Sequence, residues 1–103
     1  MHTTQRILFL AAALAGLSAC ATALEPGTEK IKVVTTQQIE HSCVSLGMIS
    51  TEQKLGTNRP ANAMNKAMNE IARRGGNGVH VIANNYDWAE GATVTVQALR
   101  CEL

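Results

Sequence analysis

Residues 60–84, PANAMNKAMNEIARRGGNGVHVIAN, decide the fold. Over residues 60–74 the larger apolar side chains Met64, Met68 and Ile71 recur at spacings of three and four, with Ala61, Ala67 and Ala72 beside them. That period predicts an amphipathic helix. Pro60 suits its first position, where the missing N–H would be unpaired in any case. Arg73 and Arg74 fall in the last turn, where cations oppose the helix dipole, and Gly75-Gly76 supplies the stop. Glu70 and Arg74 form an i,i+4 pair on the wet side. From Gly78 the period changes to two: Val79, Val81 and Ala83 share one face of a strand over 78–84. Gly75-Gly76-Asn77-Gly78 superficially suggests a phosphate cradle. Such cradles precede a helix, whereas this segment follows one, so it reads as a C-cap and turn.

Working outward, residues 30–36 (KIKVVTT) are rich in β-branched residues and read as a strand. Residues 37–42 are polar and read as a loop or turn. Residues 43–53 (CVSLGMISTEQ) alternate, Val44, Leu46 and Met48 against Cys43, Ser45 and Gly47, and form a second strand, in which Gly47 suggests a bulge or a close backbone approach. Residues 54–59 are a loop and 85–91 (NYDWAEG) a turn. Residues 92–102 alternate again, Val94, Val96 and Ala98 against Thr93, Thr95 and Gln97, as the fourth strand. The expected fold is therefore a small α+β domain over 30–103. Its order is ββαββ, with one amphipathic helix on a mostly antiparallel four-stranded sheet.

The N-terminus has a different character. A short polar start containing Arg6 leads into Ile7–Gly16 (ILFLAAALAG), followed by Leu17-Ser18-Ala19-Cys20. A positive start, about ten apolar residues and a small-residue exit describe a secretory signal peptide over 1–19. The run is well short of the roughly 20 residues that cross a bilayer as a helix. Leu-Ser-Ala-Cys resembles the bacterial lipobox, which implies cleavage before Cys20 and its lipidation through diacylglyceryl and acyl groups such as palmitate. Ala21, not Asp, after the cysteine implies sorting to the outer membrane in a Gram-negative cell. Residues 20–29, with Pro26 and Gly27, read as a short tether. Random-coil scaling gives it about 17–19 Å, which would hold the domain near its membrane.

Removing residues 1–19 of 103 leaves 84, enough for one small domain. Of nine Lys/Arg and eight Asp/Glu, Arg6 leaves with the signal, so the remaining chain is formally neutral. A neutral surface gives no electrostatic case for nucleic acid. Phe9 leaves too, so Tyr86 and Trp88 are the only aromatics, and they serve either as core filling or as a contact patch. Met64 and Met68 read as core filling.

With Cys20 assigned to lipid, Cys43 and Cys101 remain, and in an oxidising exported compartment they are expected to pair. The alternative is a metal site from Cys43, Cys101, His41 and His80, though no close ligand pair such as C-x-x-C is present. His80, alternating with valines, lacks a neighbouring nucleophile or carboxylate and reads as structural or surface. There is no nucleophile-elbow pattern. No catalytic residue, metal ligand or cofactor site is expected.

Cys43-x-x-Leu46-Gly47-x-Ile49, the helix ending in Gly75-Gly76-Asn77-Gly78-Val79, then Trp88 and the closing Leu99-Arg100-Cys101 together resemble a family of small Gram-negative lipoproteins of unknown function. Their core pattern is similar to that of the outer-membrane lipoprotein sensor of the Rcs envelope-stress phosphorelay. Gly76 and Gly78 stand where the family often has Ala, and Leu99 replaces an aromatic. The resemblance implies a compact α+β domain with oxidised cysteines and no catalytic residues. The expected function is that of a non-enzymatic lipoprotein of the outer membrane, its domain facing the periplasm. It would act by protein contact, in envelope stress response or maintenance. A periplasmic module for a small molecule or metal is the alternative.

Overall fold

The change of period at residue 75 appears in three dimensions as a helix laid against the strand that follows it. The computed structural model describes residues 21–103. The signal segment 1–19, the lipobox and Cys20 lie outside the described residues. A 3-10 turn at Thr28–Lys30 leads into β1 (Lys32–Val33), α1 (Thr36–Ser42), β2 (Cys43–Gln53), α2 (Arg59–Arg73), β3 (Gly78–Asp87) and β4 (Gly91–Cys101). The fold is α+β, with a mixed four-stranded sheet in the order β1-β3-β4-β2. The β2–β4 and β3–β4 pairings are antiparallel, while β1 runs parallel to β3.

Two expectations change at the start of the domain. The strand over 30–36 shrinks to two residues, and the supposed loop over 37–42 belongs to a helix. Both follow from Thr35. Its Oγ accepts from Gln38 N (3.2 Å) while the Gln38 side chain accepts from Thr35 N (2.9 Å). This reciprocal capping box satisfies two otherwise orphaned N–H groups and turns the chain helical at Thr36. β1 therefore ends early, and α1 carries the chain away from β1 to start β2 at the far edge of the sheet. This makes the element order β-α-β-α-β-β and the sheet mixed.

The expected helix is present within a residue at each end. Gly75, at φ 77°, closes it: Gly76 N donates to Ile71 O (2.9 Å) and Gly75 N to Ala72 O (3.0 Å). This is the Schellman arrangement, in which a left-handed residue lets the last carbonyls find partners. Gly76 has a separate reason. A β-carbon there would lie 2.6 Å from Ile71 Cγ2, and Ile71 is fully buried. Glycine at this position thus has a packing cause. The bulge in β2 lies between Ser45 and Gly47, as the sequence predicts, and a second interrupts β3 between Val81 and Ala83.

Alternation in β4 separates the two faces of the sheet. Ala92, Val94, Val96 and Ala98 point to α2 and pack with Ala63, Ala67, Ile71, Val79, Ile49 and Ile31. Small alanines on the helix let its backbone approach the valines closely. Full burial of a side chain such as Ile71 or Val94 contributes roughly 1.5–3 kcal/mol. Met64 and Met68 are partly buried against this cluster, at its margin. On the opposite face α1 covers only one end, where Ile39 meets Val34, Leu99 and the two cysteines. The rest of that face is open and mostly polar, with the Ser50 Oγ–Thr95 Oγ1 hydrogen bond (2.9 Å) and an exposed Met48 opposite Gln97. Among the described residues no helix is long and apolar enough to cross a membrane.

Candidate functional site

The segment expected to be a free tether is instead bound along α2. Asn62, Asn65 and Asn69 project from one side of the helix at spacings of three and four. Thr22 N donates to Asn62 Oδ1 (2.9 Å), and Asn65 Nδ2 donates to Thr22 O (2.9 Å). Asn69 Nδ2 donates to Ala23 O (2.9 Å), while its Oδ1 accepts from Glu25 N (2.8 Å). A primary amide has a donor and an acceptor on one side chain, so each Asn can hold an extended backbone as a neighbouring strand would. Asn62 also donates to Thr57 O (2.9 Å), and both Asn62 and Asn69 are buried. Beyond the ladder, Glu25 pairs with Arg73, and its carboxylate is the first cause that raises the guanidinium pKa above the ordinary value, with Glu70 adding to it. Thr28 is buried and donates to Glu25 O (2.8 Å). The segment therefore runs parallel to α2, entering beside the helix's first turns and leaving at its last.

At the end of the sheet where α2 finishes, Cys43 and Cys101 are direct partners in the β2–β4 register. They form the expected disulfide, with Cα atoms 4.0 Å apart and a sequence separation of 58. Asn77 secures the same end: its Oδ1 accepts from Cys101 N (2.7 Å) and its Nδ2 donates to Cys101 O (2.8 Å). With both thiols consumed, the set of Cys43, Cys101, His41 and His80 cannot act as a four-ligand metal site. His41 is exposed at the end of α1, and His80 is half-buried on β3 opposite Gln97. Among the described residues no group of three or more His, Cys, Asp or Glu side chains could hold a metal ion.

The other end of the sheet carries Tyr86 and Trp88. Both are exposed, Trp88 by 79% and Tyr86 by 56%, so neither completes the core. Tyr86 belongs to β3, which runs on to Asp87, and only Trp88-Ala89-Glu90 make the turn to β4. Asp87 Oδ1 holds that turn by accepting from Ala89 N (2.7 Å) and Glu90 N (3.3 Å). Arg59 Nη1 donates to both Trp88 O (2.9 Å) and Lys54 O (3.1 Å), tying the turn and the 54–58 loop to the first residue of α2. Leu55 of that loop is 76% exposed. A shallow hollow of about 640 Å³ lies here, lined by Glu52, Lys54, Leu55, Tyr86, Asp87 and Glu90 among others.

The contact patch named from sequence is thus exposed, and Leu55 joins it. The asparagine ladder was missed, although three Asn on one stripe of a helix is a signal: Asn favours caps and turns and needs a reason to occupy a helix interior. No family model, curated protein or solved structure matches this chain.

Proposed function

We propose that this chain is the precursor of an envelope lipoprotein of the outer membrane, cleaved before Cys20, lipidated on that cysteine, and acting without catalysis through protein contact from the periplasmic side. Its resemblance to the family of small Gram-negative lipoproteins is part of the same reading, and the contact would serve envelope stress response or maintenance. The observation that carries the proposal is the Cys43–Cys101 disulfide. Disulfides persist in exported compartments and are rare in the cytosol. The bridge also uses both cysteines of the domain and leaves Cys20 as the odd one for another chemistry. The surface that would meet a partner is the open polar face of the sheet, with the outer edge of β3 beyond Val79, where pairing with β1 has ended.

Metabolic labelling with palmitate in a Gram-negative host tests the anchor. Label is expected on the full chain and lost in Cys20→Ser; equal labelling of the variant would contradict the proposal. In-cell crosslinking followed by mass spectrometry tests the contact, with a specific envelope protein as the expected capture. Recovery of none would favour the small-molecule reading instead.

A further inference from the structure

The bound segment fixes where the chain before residue 21 must begin, and this gives the molecule an orientation. Thr22 is held by Asn62 and Asn65 in the first turns of α2, and Asn62 in turn holds Thr57 O. One turn earlier, Arg59 grips Trp88 O and Lys54 O. The first turns of α2 thus carry hydrogen bonds both to Thr22 and to the Trp88 turn. The described chain therefore begins at the same end as Leu55, Tyr86 and Trp88, and Cys20 precedes Thr22 by two residues in sequence. The disulfide lies at the opposite end.

We propose that the turn end, with Trp88, Tyr86 and Leu55 at its surface, is a bilayer-docking face that rests in the lipid headgroup region when Cys20 is lipidated. This rests on the lipoprotein reading above. The occupant is a lipid surface because the described chain begins at this end, directly after the proposed lipid site. Trp and Tyr are the side chains that settle at membrane–water interfaces, with the ring body in the acyl boundary and the N–H or O–H in the headgroups. The charges around them have both signs, Lys54 and Arg59 beside Glu52, Asp87 and Glu90, and Asp87 is already engaged by the turn's N–H groups. That mixture suits zwitterionic headgroups. The asparagine ladder acts as the positioning device: without it the lipid would tether the domain but not turn it.

Trp88 is the chain's only tryptophan and reports its own surroundings. The lipidated protein is reconstituted in phosphatidylcholine vesicles with and without bromine on the acyl chains, and its intact mass is read from the same sample. Insertion of the turn by about 5–10 Å predicts a blue-shifted emission and an about two-fold loss of intensity with brominated lipid. In Asn62→Ala/Asn69→Ala most of that loss should disappear while the circular dichroism stays native. If the double variant does not fold, Asn65→Ala, which removes one bond to Thr22 O, replaces it and should weaken the quenching. A mass without lipid overturns the lipoprotein reading and this one with it. A lipidated protein whose Trp88 emits as in water overturns the docking face alone, and one quenched equally with the ladder removed overturns the ladder's positioning role.

Discussion

The two ends of the sheet are built on opposite terms. At one end a disulfide, the Asn77 clamp on Cys101, α1 and the second hydrophobic cluster are stacked within a few residues of each other. At the other the chain turns on Trp88-Ala89-Glu90, held by one carboxylate and one guanidinium, with Leu55, Tyr86 and Trp88 in solvent. The contrast teaches that a core of small and branched aliphatic residues is closed by a covalent bond at the end away from Thr22, where the described N-terminal segment begins. The only aromatics among the described residues are left for the surface at the other end. In so small a core a buried Tyr and Trp would have been valuable, and placing them outside costs stability that the disulfide helps to offset.

Removing the bridge should therefore have the largest effect. A Cys43→Ser/Cys101→Ser protein is expected to lose roughly 4 kcal/mol, the chain-entropy estimate for a loop of this length, seen in chemical denaturation. Trp88→Ala should leave stability within about 0.5 kcal/mol, as for exposed positions. If the two changes cost the same, the contrast between the ends is wrong. Next comes Gly76→Ala, where the new methyl must displace Ile71 and a loss of about 1–3 kcal/mol is expected by thermal melting. Replacing Asn69 by Ala removes two hydrogen bonds to the N-terminal segment and should cost about 1 kcal/mol. Its sharper sign is faster amide exchange at Glu25 with unchanged exchange in β4. Thr35→Ala removes the α1 cap for about 1 kcal/mol, and fraying should be confined to the disulfide end. Arg73→Ala, at an exposed ion pair with Glu25, should give the smallest shift in melting temperature of the set.

The sequence exposes these features unequally. The helix over 60–74, the bulge at Gly47, the outlines of β2 to β4 and the Cys43–Cys101 bond could all be read, because each rests on a local period, a glycine or a count of cysteines. The parallel pairing of β1 could not, since strand order depends on where α1 carries the chain. α1 itself was legible in Thr35-Thr36-Gln37-Gln38, a capping-box pattern hidden by the β-branched run before it. Tyr86 and Trp88 left two readings open, because an aromatic carries no mark of which side of a sheet it faces until the register is known. Residues 21–29 looked like a tether, because a segment without its own period shows nothing of what another element does to it. The signal lay forty residues away, in the three asparagines of α2.

The central claim is that Cys20 carries the lipid and that the other two cysteines carry the bridge. The most direct measurement is the intact mass of the protein extracted from membranes of a Gram-negative host, before and after reduction. The account predicts a chain beginning at Cys20 with its diacylglyceryl and acyl additions, two hydrogens lighter than the reduced form. A chain still bearing residues 1–19, or one cut without lipid, would contradict it.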